Sequence, residues 1–113
     1  MQEVELTTPE QPCFIGAWYL PDINICDEII SLYSTDFFAT EQGTIGGDII
    51  RRVDTGVKDS IDSSLYDSPD LADKFTSGLL AVLDQYKQRF PHTNNVDQFF
   101  VDLLNIQKYP KGG

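Results

Sequence analysis

SPDLADKFTSGLLAVLDQYKQRF, residues 68–90, is the stretch that decides the fold of this 113-residue chain. Ser68 is a favourable N-cap, and Pro69 and Asp70 follow it as residues that suit the first turn of a helix. Pro91 ends the helical pattern. Apolar side chains recur at helical spacing along one stripe, namely Leu71, Phe75, Leu79, Leu83, Tyr86 and Phe90, widened by Ala72, Leu80 and Val82. The stretch therefore predicts one long amphipathic helix whose aromatic side chains belong to the core.

A shorter helix is predicted from Ile23 to Ser34, with Asp22 as its N-cap. Its apolar residues at helical spacing are Cys26, Ile29, Ile30 and Tyr33. Free cysteine is among the most buried residue types, so Cys26 is expected to be a small buried residue of this helix.

Three stretches are rich in strand-forming residues: Cys13–Leu20, Ile49–Val53 and Phe99–Tyr109. In the third, Leu104 and Ile106 alternate with polar residues, as in a half-buried strand. The glycine-rich stretch Gln42–Asp48 lacks the lysine of a phosphate loop and favours a hairpin or a flexible loop. Residues 58–68 do not match the spacing of a calcium loop and are expected to form a polar connection.

These elements predict an α+β fold with two helices, one of them long and amphipathic, packed on one face of a small, mostly antiparallel sheet. Residues 1–12 contain two prolines and few apolar groups and are expected to be a flexible N-terminus. Residues 13–113 are expected to form a single α+β domain.

The charge is unevenly distributed along the chain. Eighteen acidic residues and eight basic ones give a net charge of −10, and residues 1–50 hold nine acids with no lysine or arginine. Such a surface repels phosphate backbones, which argues against nucleic-acid binding. An acidic surface could also bind a basic partner, although the simpler explanation of the negative charge is that it keeps the chain in solution.

The sequence also predicts the compartment. No apolar run reaches the ~20 residues of a membrane span, and the acidic N-terminus does not look like a secretory signal. Cys13 and Cys26 match no zinc motif and are expected to be reduced thiols in a cytoplasmic protein.

Catalytic residue types are scarce. His92 is the only histidine, so no site with two histidine ligands can form within one chain. A pair between His92 and either cysteine is disfavoured because both cysteines lie in elements predicted to be buried. No position is assigned as a catalytic, cofactor-binding or metal-binding residue.

Three segments, in their order, resemble the N-terminal part of the iron(II)- and 2-oxoglutarate-dependent oxygenases. The likeness is greatest to prolyl-hydroxylase-like members from marine bacteria, cyanobacteria and their phages. The first segment is residues 14–20 running into Asp22–Ile30, the second is Lys58–Asp62, and the third is Asn105–Gly113. The third is similar to the strand and turn that precede the iron-binding motif of the family.

The resemblance implies a double-sheet jelly roll, of which this chain would supply the first strands and the helices packed on them. The family's His-x-Asp pair, its later histidine and its 2-oxoglutarate-binding residue would all follow Gly113. Iron(II) and 2-oxoglutarate are therefore implied for the complete protein and for no position here. The resemblance implies a non-catalytic fragment, whose last strand would expose an edge prone to self-association.

The alternative is a complete, small, acidic module that binds a basic partner. A reading frame that continues past codon 113 into a His-x-Asp motif would favour the oxygenase, and a stop codon would favour the module.

Overall fold

A computed structural model describes residues 1–6, 14–47, 50–96 and 99–112. Within these ranges the chain is α+β, with two helices and small antiparallel sheets. In chain order the elements are β1 (Glu3–Val4), β2 (Ala17–Trp18), α1 (Asn24–Tyr33), β3 (Glu41–Gln42), β4 (Ile45–Gly46), β5 (Arg51–Arg52), β6 (Ile61–Ser64), α2 (Pro69–Arg89) and β7 (Asn105–Lys108). None of the helices in the described ranges is long and apolar enough to cross a bilayer.

The long helix is confirmed. Ser68 caps α2 by accepting a hydrogen bond from the backbone N–H of Leu71 at 3.5 Å, and Pro69 occupies the first turn. Leu71 and Ala72 are buried, while Leu80, which was expected to widen the apolar stripe, is 52% exposed. The helix therefore buries only its first turns deeply, and most of its later apolar side chains are half-buried.

The short helix is also confirmed, but only two of the four residues on its predicted apolar stripe, Ile29 and Tyr33, pack against the core. Ile25 is buried, whereas Cys26 is exposed and Ile30 is 63% exposed. Ile29 and Tyr33 pack against the core as half-buried side chains. Burial follows a stripe that runs through Ile25 and Ile29, because this is the side of α1 that meets α2 and the sheet. The prediction that Cys26 is buried is wrong.

Sheet B, the central sheet, has the strand order β3-β6-β7, with both pairings antiparallel. Its middle strand β6 lies inside residues 58–68, which were expected to be a polar connection, so that expectation is wrong. The two neighbours of β6 satisfy its backbone hydrogen-bonding groups, and this allows a strand of sequence Ile-Asp-Ser-Ser, in which three of four residues have low strand propensity.

Each of the two other sheets among the described residues consists of two strands that are two residues long. The hairpin β4–β5 falls in and after the glycine-rich stretch, in agreement with the hairpin alternative, although Asp48 and Ile49 lie outside the described residues. The strand predicted over Cys13–Leu20 is reduced to β2, which pairs with β1, and Cys13 is not described. Glu3–Val4 lie in the N-terminal stretch expected to be flexible, and residues 7–12 of that stretch are not described.

The hydrophobic core is small. Its buried cluster comprises Phe38, Leu65, Leu71, Ala72 and Leu104, and the half-buried side chains around it include Ile29, Leu32, Tyr33, Phe75, Leu79 and Ile106. The cluster joins both helices to the face of sheet B that carries Ile106, so the helices lie on one face of this sheet.

Candidate functional site

The two reactive side chains singled out by the sequence lie apart and exposed. Cys26 is on the surface of α1, and His92 is exposed in the 3₁₀ turn Pro91–Asn95 that follows α2. Neither has the buried, charged surroundings that activate a nucleophile or a general base.

A cluster of hydrogen-bonded polar side chains lies at the start of β6 and comprises Lys58, Ser60 and Asp62. The Lys58 Nζ is 3.1 Å from the Asp62 Oδ2, and the Ser60 hydroxyl donates a hydrogen bond of 2.7 Å to the Asp62 Oδ1. Both ends of the Lys58–Asp62 ion pair are largely shielded, with side chains 22% and 17% exposed.

This cluster is tied to β3 through the backbone of Ser60. The Ser60 carbonyl accepts a hydrogen bond of 2.8 Å from the Gly43 N–H and one of 3.1 Å from the Gln42 Nε2. A Cβ on Gly43 would overlap the Ser60 Oγ, so only glycine allows β3 to approach this closely.

Hydrogen bonding holds Asp62 in its charged form. Burial acts to raise the pKa of Asp62, but hydrogen bonds from Ser60 and Lys58, the charge of Lys58 and a hydrogen bond from Gln107 outweigh it. The pKa of Asp62 therefore lies below its usual value, and the carboxylate is an acceptor of hydrogen bonds rather than a proton donor at neutral pH.

Asp62 is the centre of a polar row across sheet B. Glu41 on β3 and Gln107 on β7 are its cross-strand partners, and the next pair on the same face is Ser64 with Asn105. Side chains alternate between the two faces of a strand, so this row lies opposite the face that packs against the helices. One face of the sheet is therefore apolar and covered by helices, and the other is polar.

An open cavity of about 490 Å³ lies over the polar face. Its lining combines acidic, basic and hydroxyl groups, among them Thr40, Glu41, Thr44, Arg51, Lys58 and Asp62. This lining can bind a polar molecule through hydrogen bonds.

The sequence reasoning missed this polar row because it took residues 58–68 for a connection. A usable signal was present: Ser60, Asp62 and Ser64 fall at every second position, which is the spacing of one face of a strand.

The residues present do not fit an iron centre. Among the ranges that the structure describes, no three His, Cys, Asp or Glu side chains come together in a group that could hold a metal ion. We therefore derive no reaction step for this chain.

The surface is much larger than that of a compact protein of this size. The accessible area is 8671 Å², against about 6,200 Å² expected for a folded monomer of this mass. The radius of gyration is 16.9 Å, against about 13 Å expected. Large apolar side chains contribute to the surplus, including Phe100 at 80% exposure, Ile50 at 75% and Leu103 at 67%.

Comparison of the chain with known protein families, curated proteins and solved structures finds no match. The arguments about function therefore rest on the residues and their geometry.

Proposed function

We propose that this chain is the N-terminal scaffold region of a 2-oxoglutarate- and iron(II)-dependent dioxygenase, and that it does not catalyse a reaction alone. The observation that carries the proposal is the pairing of β6 with β7. Two of the segments that resemble the family, Lys58–Asp62 and Asn105–Gly113, are far apart in sequence but contribute adjacent strands, with Ile61 opposite Lys108.

The two faces of sheet B support the same proposal. The jelly roll that the resemblance implies would carry the helices of this chain on the outside of one sheet, with the other face of that sheet toward the interior. Sheet B has its helices on the Ile106 face and the polar row of Glu41, Asp62 and Gln107 on the other. In the complete domain this polar row would face the second sheet.

The surplus of exposed apolar surface is what a scaffold without its second sheet would have. The strand order leaves β7 at the margin of sheet B, with β6 as its neighbour on one side. We propose that further strands cover this margin in the complete protein, and that in this chain it favours self-association. A reduced, cytoplasmic location is part of the proposal and rests on the sequence.

Two experiments test the function. The first is to read the gene beyond codon 113, where the proposal requires an open frame that encodes a His-x-Asp motif and a later histidine. The product of that frame should release succinate and carbon dioxide from 2-oxoglutarate, and replacement of its motif histidine by alanine should abolish this. A stop codon directly after codon 113 would refute the proposal.

The second experiment is a calorimetric titration of the 113-residue chain with iron(II) under anaerobic conditions, with and without 2-oxoglutarate. We expect no stoichiometric binding in either case. Binding at one ion per chain would contradict the assignment of the ligands to a later segment.

An acidic interaction module is the second candidate. It is favoured by the exposed apolar side chains together with a first half that lacks basic residues. A module of this kind would bind a basic partner, and its affinity would fall as salt rises.

A further inference from the structure

Among the residues that the structure describes, β6 is the one strand that pairs with β7, and the register identifies the backbone groups on the other margin of β7. The Leu65 N–H donates to the Leu104 carbonyl at 2.8 Å, so Leu65 and Leu104 form a hydrogen-bonded pair. In an antiparallel ladder such pairs alternate with pairs that do not exchange hydrogen bonds. Ile106 therefore bonds toward β6, while the N–H and C=O groups of Asn105 and Gln107 point away from β6.

An apolar groove runs beside this margin, between α1 and β7. Its volume is about 480 Å³, and its lining includes Ile29, Ile30, Tyr33, Ile106 and Tyr109. Ile30 is 63% exposed and Tyr109 is 45% exposed. The groove and the free margin of β7 are thus contiguous, and an added strand would cover both.

The charges around the groove suit a second copy of the chain. Although the chain carries −10, the lining of the groove has no acidic residue, and its single charged side chain is Lys108. The Lys108 ammonium lies 5.9 Å from the centre of the Tyr33 ring. Glu28 on α1 is turned toward α2, where it contacts Lys74 at 3.3 Å. Two copies can therefore meet here without opposing carboxylates.

We propose that two copies of this chain pair through β7 as a symmetric dimer, which extends sheet B to six strands. This deepens the self-association proposed above by naming the strand and its register. Outward-pointing residues must face each other, and of the registers that allow this we propose the one centred on Ile106, with Asn105 opposite Gln107 of the second copy. The two-fold axis then brings the two Ile106 side chains together and keeps the two Lys108 side chains apart.

A standard interface covers about 800 Å² on each partner, so a dimer through β7 has to bury the groove beside this strand as well as the strand itself. Backbone hydrogen bonds between the two β7 strands would fix the relative orientation of the two copies, and the two grooves would add apolar contacts.

The first test is sedimentation equilibrium of the full chain and two variants at residue 107. Proline lacks the N–H that points outward, and it is tolerated at the margin of a sheet. Gln107→Pro should therefore reduce the mass from twice to once 12.7 kDa, while Gln107→Ala should remain dimeric. A monomeric parent chain, or a Gln107→Pro variant that still dimerises, would overturn the proposal.

A second variant covers the case in which Gln107→Pro does not fold. In a Cys13→Ser, Cys26→Ser background, Ile106→Cys should form an intermolecular disulfide on mild oxidation. Residues opposite each other in a pair without hydrogen bonds have Cα atoms about 4.5 Å apart, which a disulfide can span. Asn105→Cys is the control and should cross-link poorly; equal cross-linking of the two variants would refute this register.

The response to salt separates the dimer from binding of a basic partner. Two chains of like charge repel each other, so added salt should strengthen the dimer. Weakening by salt would contradict pairing through β7. If the chain does not form this dimer, the oxygenase proposal is unaffected, because its tests are the reading frame of the gene and the binding of iron.

Discussion

Gly43 and Ser60 touch across the β3–β6 pair so closely that a side chain on Gly43 would overlap the Ser60 hydroxyl oxygen. The same two residues share a backbone hydrogen bond of 2.8 Å. This contact fixes the position of the hydroxyl that donates to Asp62, so the polar cluster at β6 depends on the glycine that directly follows β3.

Gly43→Ala should lower the free energy of unfolding by about 1–3 kcal/mol, the usual cost of overpacking. Gly47→Ala is the matched control, because a Cβ there meets no atom within 4 Å, and it should change stability by less than about 0.5 kcal/mol. Urea unfolding measures both. In a Ser60→Ala background the cost of Gly43→Ala should shrink; an unchanged cost would show that the overlap is not its cause.

Ser60 and Ser63 provide a comparison between two buried hydroxyls of one segment. The Ser60 Oγ donates to Asp62, whereas the Ser63 Oγ is buried without a hydrogen-bond partner. Ser60→Ala should destabilise by about 1–3 kcal/mol because it removes a donor to a half-buried carboxylate, and Ser63→Ala should be neutral or stabilising by about 1 kcal/mol. The reverse order in chemical denaturation would contradict the hydrogen-bond assignment.

Acid should weaken the fold partly through Asp62. Its folded-state pKa lies below the unfolded value of about 3.9. The resulting stabilisation is therefore present above about pH 4 and is lost as the pH falls through the folded-state pKa. Thermal melts from pH 7 to pH 3 should show a smaller acid-induced loss for Asp62→Asn than for the parent chain. Asp73→Asn controls for the removal of one negative charge from an exposed position on α2.

Because the hydrophobic core is small, each of its few buried side chains should contribute strongly to the free energy of unfolding. Leu71 is 6% exposed and Leu80 on the same helix is 52% exposed. Leu71→Ala should cost about 2–5 kcal/mol, and Leu80→Ala should cost less than about 1 kcal/mol because little of its surface leaves water on folding. Equal shifts in the melting temperature would contradict the described orientation of α2.

Cys26 should be reactive in the folded protein. Its side chain is exposed on α1, so in a Cys13→Ser background it should react with a chromogenic disulfide reagent without denaturant. The rate should approach that of the same variant in urea. Strong protection of the Cys26 thiol in the native state would contradict its exposure and favour the buried position that the sequence predicts.

Local signals predicted the parts of the fold that depend on local interactions. The cap, the proline at the first turn and the periodic apolar residues predicted α2, because each of these acts within one or two helical turns. The alternation of Leu104 and Ile106 similarly predicted β7. The strand predicted around Trp18 was too long, because only two of its residues find a partner strand among the described residues.

The missed features depend on contacts that are distant in sequence. Three of the four residues of β6 have low strand propensity, and β6 is a strand because β3 and β7 lie on its two sides. The buried face of α1 is set by where α2 and the sheet lie, so the apolar residues of α1 alone could not distinguish Ile25 from Cys26. The polar row of sheet B follows from the same pairing and was missed with β6.

The central position of β6 constrains how the chain can fold during synthesis. The strand β7, which pairs with β6 on the side away from β3, is complete only 44 residues after Ser64. At ribosomal speeds of 5–20 residues per second, this interval lasts about 2–9 s. The whole of α2 is synthesised in that interval. Leu104 and Ile106, which complete the core cluster, come only after α2, so the side of the cluster that they cover stays open to a chaperone until then.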